Sequence, residues 1–178
     1  MLGSIWTRDR AWYTETAARV ADMAKQYGLR YNIEFLPWAG VRNLQEAITL
    51  IDALARDNVY IMVDTLHAGR AGVTAEELAR TNPKYFNFIH LCDGPAGPDG
   101  DPVLDNIKDD LMLFTAREYR LYTGDGVMDI AGMVKALPNI PLSIELPNLE
   151  NISKYGVAGH ARNCIEKAKA YFKANGIE

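Results

Sequence analysis

The chain has little of several residue types that mark particular classes of protein. Its 178 residues include two cysteines, Cys92 and Cys164, far apart in sequence, so neither a disulfide scaffold nor a thiolate zinc site is expected. No apolar run approaches the roughly 20 residues that span a bilayer. Residues 1–10 lack the charged-then-apolar layout of a secretory signal. The expectation is a reduced, cytoplasmic protein without a membrane partner.

Positive charge is not in excess either. Lys and Arg number 19 against 23 Asp and Glu, which gives a net charge of −4. Proteins that bind nucleic acid carry a basic patch that neutralises phosphates, so no nucleic-acid partner is expected. The length and an apolar content of 48% are sufficient for one domain with a core, and the sequence shows no linker, so residues 1–178 are predicted to form a single domain.

Strand-like and helix-like segments alternate along the chain. Helices are expected at about Asp9–Tyr27, at about Leu44–Arg56 with Asn43 as its cap, after a second cap at Thr74, and at about Ala158–Ala174. A long loop is expected from Gly94 to about Asp105. Strands are expected at Tyr31–Leu36, Val59–Asp64, Tyr85–Leu91 and Leu142–Leu146, with a possible further strand in Met1–Trp6. Helical crossovers join parallel strands, so this is an α/β fold of parallel (β/α) units. A full TIM barrel needs about 250 residues. About four strands therefore predict half of a barrel, or a truncated one.

Each of the four strand-like runs carries a metal-type ligand at or near its end. The four residues are Glu34, Asp64, His90 and Glu145. Parallel strands in α/β barrels place functional groups at their carboxyl ends, on one rim, so the four side chains are expected to hold one divalent cation. An oxygen-rich set suits Mn²⁺, Mg²⁺ or Co²⁺ better than Zn²⁺. Taken singly, each residue has a plainer interpretation, as a solvent-facing Glu, a turn Asp or a hydrogen-bonded core His.

Other polar residues flank these four. His67 follows Asp64 by three residues, and Asp93 follows His90 in the same way. Asp93 is interpreted as the partner that fixes the imidazole of His90, although a ligand or a turn residue would look the same in sequence. The glycine turn Thr123–Ile130 contains Asp129, which is placed to cap the next helix. The turn is either purely structural or a loop closing over the site, with Arg120 nearby for an anionic or polyhydroxylated substrate.

These elements together resemble the xylose-isomerase-like TIM-barrel superfamily of sugar isomerases and epimerases. The resemblance runs from about residue 9 to 175 and corresponds to the second half of the family barrel. It rests on Glu34, Asp64-Thr-Leu-His67, His90-Leu-Cys-Asp93, Gly124-Asp125-Gly126-Val-Met-Asp129 and Glu145. It implies metal ligation by Glu34, Asp64, His90 and Glu145, substrate contact by His67, and acid–base roles for the two glutamates. Ketose 3-epimerases also carry an Arg soon after the His-x-x-Asp element, and residues 94–100 contain none.

The function that follows is isomerisation or epimerisation of a small sugar or hydroxy-carbonyl compound through an enediolate, with Glu34 and Glu145 exchanging the proton. A metal-dependent dehydratase acting on a keto-polyol is the first alternative. A degenerate, non-catalytic half-barrel is the second.

A half-barrel would also leave its inner face uncovered. Exposed apolar strand residues would consume most of a small net stability, so a homo-oligomer, most simply a dimer, is predicted. The strand residues from which that face would be drawn are Ile33, Phe35, Ile61, Val63, Phe86, Phe88, Ile144 and Leu146.

Overall fold

A computed structural model describes residues 2–97 and 109–177, which form one open sheet of five parallel strands with helices. The strands lie side by side in chain order. They are β1 (Leu2–Ser4), β2 (Tyr31–Glu34), β3 (Val59–Asp64), β4 (Phe86–Leu91) and β5 (Leu142–Ile144). The helices are α1 (Arg10–Gln26), α2 (Leu44–Leu54), α3 (Thr65–Arg70), α4 (Ala75–Arg80), α5 (Asp109–Glu118), α6 (Ile130–Ala136) and α7 (Leu149–Ala174).

The α/β half-barrel prediction is confirmed, and the possible strand near the start of the chain is the fifth strand. Helices α3 and α5 were not expected from the sequence. Helix α7 begins at Leu149 rather than near Ala158, and it contains a break at Gly156, where φ is 68° and ψ is 165°. The loop predicted from Gly94 to about Asp105 falls mostly outside the described residues.

Side-chain caps explain where several helices begin. Asp9 accepts a hydrogen bond from the backbone N–H of Trp12 at the start of α1. Asn43 does the same for Glu46 at α2, and Thr74 for Glu77 at α4. Each cap satisfies a backbone donor that has no partner within its helix. The capping positions read from the sequence at Asn43 and Thr74 are therefore confirmed.

The hydrophobic core lies between the convex face of the sheet and the helices. Side chains alternate along a strand, so the residues that point away from the site point into this core. Six of the eight residues expected at an uncovered inner face are buried within this one chain: Ile33, Phe35, Ile61, Val63, Phe86 and Leu146. The chain's own helices cover most of that apolar surface.

The concave face of the sheet is more polar than the sequence suggested. Asn32 lies on the same face of β2 as Glu34, and its side-chain oxygen accepts a hydrogen bond of 2.8 Å from Asn87. Arg30 donates in turn to Asn87 at 2.6 Å. Ile144 on β5 is 39% exposed. Association into a dimer stays a prediction, and its physical basis is now the strand edges at β1 and β5, which have no further strand beside them among residues 2–97 and 109–177.

A membrane-crossing helix was not expected, and in the described part of the chain no helix is both long enough and apolar enough to span a bilayer.

Candidate metal centre

The sheet register sets the predicted ligands side by side. Asp64 at the end of β3 is the register partner of His90 in β4. Glu34 ends β2, and Ser4 of β1 is its register partner on the other side. Glu145 follows directly after β5. Because all strands are parallel, these carboxyl ends meet at one rim of the sheet.

The structure brings the four predicted ligand residues together. One ligand atom from each of Glu34, Asp64, His90 and Glu145 lies within 4.8 Å of the others. Opposite ligands around a hard divalent cation are separated by roughly 4 to 4.6 Å, so the set fits one ion with little contraction. The Nδ1 atom of His90 is buried without a hydrogen-bond partner in the part of the chain that is described. Three carboxylates around an unpartnered imidazole nitrogen form a possible divalent metal site.

Asp64 is held from two sides. Its Oδ1 accepts hydrogen bonds from the backbone N–H groups of Leu66 and His67, because Asp64 is the N-cap of α3. Its Oδ2 accepts a hydrogen bond of 2.5 Å from Nη1 of Arg120. Burial alone opposes ionisation of this carboxyl, but His67 and Arg120 outweigh that effect and lower its pKa to about 2. The side chain is therefore a fixed carboxylate.

Arg120 joins the site from the segment after α5. Its Nη2 lies 2.9 Å from Oε2 of Glu145, and its Nε donates to the backbone carbonyl of Ala116 at 2.7 Å. The guanidinium is almost fully buried, yet its pKa is raised because the charges of Asp64 and Glu145 outweigh the effect of burial. Residues 94–100 contain no Arg, and the guanidinium beside Asp64 and Glu145 belongs to Arg120, later in the chain.

His67 lies beside the ligand set. Its Nε2 is 3.7 Å from Oε1 of Glu34 and 3.5 Å from Nη2 of Arg120. The side chain is 2% exposed, and this burial lowers its pKa to about 4. His67 is therefore a neutral imidazole at neutral pH, able to donate at one nitrogen and accept at the other.

The two glutamates have opposite electrostatic environments. Burial, with the negative charge of Asp64 adding to it, raises the pKa of Glu34 to about 7, although a 2.7 Å hydrogen bond from Ser4 acts against the rise. Glu145 contacts His90 at 3.3 Å, and that contact together with Arg120 lowers its pKa. The contact lacks hydrogen-bond alignment at His90 Nδ1, so the attraction is that between opposite charges. Glu145 in turn raises the pKa of His90 against the effect of burial.

Asp93 was predicted to hold the imidazole of His90, but its hydrogen-bond partners are backbone groups. Its carboxylate accepts backbone N–H hydrogen bonds from Gly94, Gly124, Gly126 and Met128, at 2.8 to 3.0 Å. A Cβ on Gly126 would come within 2.2 Å of the carbonyl oxygen of Gly94, so only glycine permits this approach. Asp93 therefore fixes the glycine turn Thr123–Ile130, which lies between α5 and α6, while the turn's Asp129 caps α6 as expected.

Sequence reasoning missed two residues that contact the ligand set. Ser4 could be found only if the start of the chain was read as a strand in register with β2. Cys92 is fully buried, and its Sγ lies 3.6 Å from Oδ1 of Asp64 and 3.2 Å from Nη1 of Arg120. No spacing pattern pointed to it. The third histidine, His160, lies away from the ligands, between the hydroxyl of Tyr122 and the carbonyl of Leu146, both at 2.9 Å.

Known proteins resemble this chain over most of its length. Among curated relatives, the inosose isomerase of Bacillus velezensis is 27% identical over 128 residues, which is 71% of this chain and 41% of the relative. The inosose isomerase of Bacillus licheniformis is 25% identical over 173 residues, 92% of this chain and 58% of the relative. The chain thus spans about half the length of the curated relatives it matches.

Solved structures show the same fold. The IolI protein, whose crystal structure contains a bound zinc atom, superposes with a TM-score of 0.72 at 23% identity, over 90% of this chain and 55% of that one. The family model described as a xylose isomerase-like TIM barrel matches residues 3–171. Together with the open parallel sheet, that match assigns the fold, and the chain belongs to the xylose isomerase-like TIM barrel family.

Proposed function

We propose that this chain binds one divalent cation through Glu34, Asp64, His90 and Glu145 and isomerises a small sugar-like keto compound. The observation that carries the proposal is the grouping of the four ligand atoms within 4.8 Å of one another at the carboxyl rim. When bound, the cation would supply Lewis-acid stabilisation of negative charge on neighbouring substrate oxygens.

The two glutamates are the proposed acid–base pair. Glu145, whose pKa is lowered, is a carboxylate at neutral pH and takes the proton from the carbon beside the carbonyl group. Glu34, which ends β2, supplies a proton to the neighbouring carbon, while the hydroxyl proton released there passes to the former carbonyl oxygen. Two carboxyls on separate strands provide one base and one acid in a single site. The substrate passes through an enediolate between the two transfers.

His67 and Arg120 are proposed to contact the substrate. The guanidinium of Arg120 lies 2.9 Å from the proposed base and 2.5 Å from Asp64, so it also neutralises carboxylate charge. The imidazole of His67, with its pKa of about 4, is neutral and can exchange hydrogen bonds with a hydroxyl group. Asp93 is proposed to support the site indirectly, by holding the glycine turn in place.

The metal is proposed to be Mn²⁺, Mg²⁺ or Co²⁺, because three of the four ligands are carboxylates. Zinc should be tested beside these three ions, since the related IolI structure contains it. The substrate class is proposed from the relatives, which are named inosose isomerases. An inosose is therefore the first compound to test as a substrate of this 178-residue chain.

The test is incubation of the Mn²⁺-loaded chain with an inosose in D₂O, followed by NMR after removal of the metal. We expect deuterium at the carbon beside the carbonyl group and a new isomer. Glu34→Gln and Glu145→Gln should abolish both, whereas Glu150→Gln, a matched change at an exposed residue of α7, should leave both intact. Metal binding without deuterium exchange would contradict the proposal and favour the non-catalytic alternative. A product that has lost water, seen by mass spectrometry, would assign the dehydratase instead.

A further inference from the structure

The loop after β2 holds the side chain of Trp38 in a fixed position. The backbone N–H of Leu36 donates to the carbonyl of Val41, and Nε of Arg42 donates to the carbonyl of Pro37, at 2.9 and 2.8 Å. These bonds close a tight turn directly after the strand that ends in Glu34. Trp38 is thus held at the same rim as the ligand set.

The polar atom of the Trp38 indole is buried although part of the residue is exposed, which is the reverse of the usual arrangement in tryptophan. Aromatic side chains with a polar atom usually keep that atom in water or give it a hydrogen bond when it is buried. Trp38 is only half-buried as a residue, yet its Nε1 is buried, and it has no hydrogen-bond partner within residues 2–97 and 109–177. Leaving a buried donor unpaired costs about 1–3 kcal/mol. Such a donor calls for an explanation.

Trp38 packs directly on His67. The two ring centroids are 5.1 Å apart, and the rings meet edge to face at 81°. His67 is 2% exposed, and its Nδ1 is a second buried nitrogen that lacks a partner in the described part of the chain. Its other nitrogen, Nε2, lies 3.7 Å from Oε1 of Glu34. Two buried nitrogens without partners therefore lie in adjoining rings, and the ring of His67 contacts the proposed ligand Glu34.

We propose that Trp38 is a substrate-contacting residue that selects for hydroxyl-bearing ligands beside His67. Its Nε1–H donates a hydrogen bond to a hydroxyl oxygen of a polyhydroxylated ligand. The indole N–H can only donate a hydrogen bond, so its partner must carry an acceptor atom. This inference rests on the proposed function, because it places the sugar-like ligand at the same rim.

Three tryptophans make the contact directly observable. Trp6 and Trp12 are exposed, so Trp6→Phe and Trp12→Phe each remove one indole N–H signal from a ¹H–¹⁵N spectrum and identify the third as Trp38 without altering it. The wild-type chain, loaded with diamagnetic Zn²⁺ or Mg²⁺, is then titrated with an inosose and, separately, with cyclohexanone, a ring ketone without hydroxyl groups. We expect the inosose to shift the Trp38 signal and slow its exchange with solvent, while cyclohexanone leaves it unchanged.

A variant measures what the hydrogen bond contributes. Trp38→Phe keeps an aromatic ring and removes the donor, so inosose affinity should fall about three- to tenfold, the effect of one neutral hydrogen bond. Trp12→Phe on α1 is the matched control and should bind as the wild type does. The inference is overturned if the inosose binds and leaves the Trp38 signal unmoved, or if no inosose binds to the metal-loaded chain. A shifted Trp38 signal without isomerisation would support this contact and contradict the proposed function.

Discussion

Glu34 and Glu145 occupy similar sequences and very different environments. Each lies at the end of a short apolar strand and is followed within three residues by Leu-Pro. Glu34 ends β2, which has a strand on both sides, and it is 7% exposed. Glu145 follows the edge strand β5, and its side chain is 40% exposed. The pKa of Glu34 is raised to about 7, whereas that of Glu145 is lowered.

The difference shows that position in the sheet, rather than local sequence, sets the chemistry of each carboxyl group. Burial between β1 and β3 raises the pKa of Glu34, and the single hydroxyl of Ser4 does not reverse it. Glu145 keeps solvent contact and gains His90 and Arg120 as neighbours. A pair of like residues is thereby divided into a candidate acid and a candidate base.

The largest expected effect comes from removing Arg120, the cation that Glu145 has and Glu34 lacks at contact distance. Arg120→Met leaves Asp64 buried with an unpaired charge, so the free energy of unfolding should fall by about 3–5 kcal/mol. Urea denaturation at pH 7 measures it. The same variant should raise the pKa of Glu145 and make the two glutamates more alike.

The matched control is Arg56→Met. Arg56 also makes a two-point ion pair, with Asp22, but both side chains are substantially exposed. Exposed ion pairs contribute little because water screens them, so this variant should be nearly as stable as the wild type. Equal losses in the two variants would show that the buried pair has no special role.

The second prediction concerns the pH dependence that Glu34 imposes on stability. Its pKa in the folded chain, about 7, is above its ordinary value of 4.5, so the folded state holds this proton more tightly than the unfolded state. Stability should therefore fall as pH rises from about 4.5 to 7, by on the order of 3 kcal/mol, and level off above. Glu34→Gln should lack this fall when both proteins are measured in chelator.

His67 does not obscure the comparison, because it is present in both proteins. Its pKa of about 4 lies below the ordinary 6.5, so its own contribution to stability rises with pH over that interval. The difference between the wild type and Glu34→Gln isolates the carboxyl group. A difference that stays constant from pH 4 to 8 would show that Glu34 is an ordinary carboxylate.

Glu145 should behave in the opposite direction. Its pKa is lowered in the folded chain, so its stabilising contribution is present above the ordinary value of 4.5 and is lost as pH falls through the lower, folded value. Glu145→Gln should therefore lose stability relative to the wild type near neutral pH and approach it in acid. The same sign in both glutamine variants would remove the contrast between the two residues.

The smallest effect is expected at Ser4, whose hydroxyl donates to Oε2 of Glu34. Ser4→Ala should raise the pKa of Glu34 further, because that hydrogen bond favours the ionised form, and should cost about 1 kcal/mol above pH 7. Carboxyl ¹³C titration by NMR measures the shift. Ser143→Ala, on the exposed strand β5, is the control and should leave the Glu34 titration unchanged.

The ligand set could be predicted from sequence because it follows a local rule. Parallel strands end at one rim, so an acidic residue or histidine after an apolar run is placed by the strand itself. Glu34, Asp64, His90 and Glu145 all follow that rule, and the structure groups them as expected. Helix starts at Asn43 and Thr74 were readable for the same reason, since a cap bonds to a residue three positions on.

Features that depend on distant pairing could not be read this way. Strand β1 has three residues and is defined by its register with β2. Arg120 reaches Asp64 across 56 positions of sequence. Asp93 binds backbone N–H groups more than thirty residues later, so nothing near it in sequence shows that it holds the glycine turn. The expected uncovered apolar face is mostly absent for a related reason, because residues such as Ile33 and Val63 are buried under the chain's own helices.

Calorimetric titration of the chelator-treated chain with Mn²⁺ tests the central claim most directly. The account predicts one bound ion per chain and a loss of affinity of at least tenfold in both Asp64→Asn and His90→Gln. The control is Asp125→Asn. Asp125 is an acidic residue of the glycine turn that pairs with Lys167 of α7, and this variant should bind Mn²⁺ as the wild type does. Absence of binding, or binding that survives both ligand substitutions, would contradict the site.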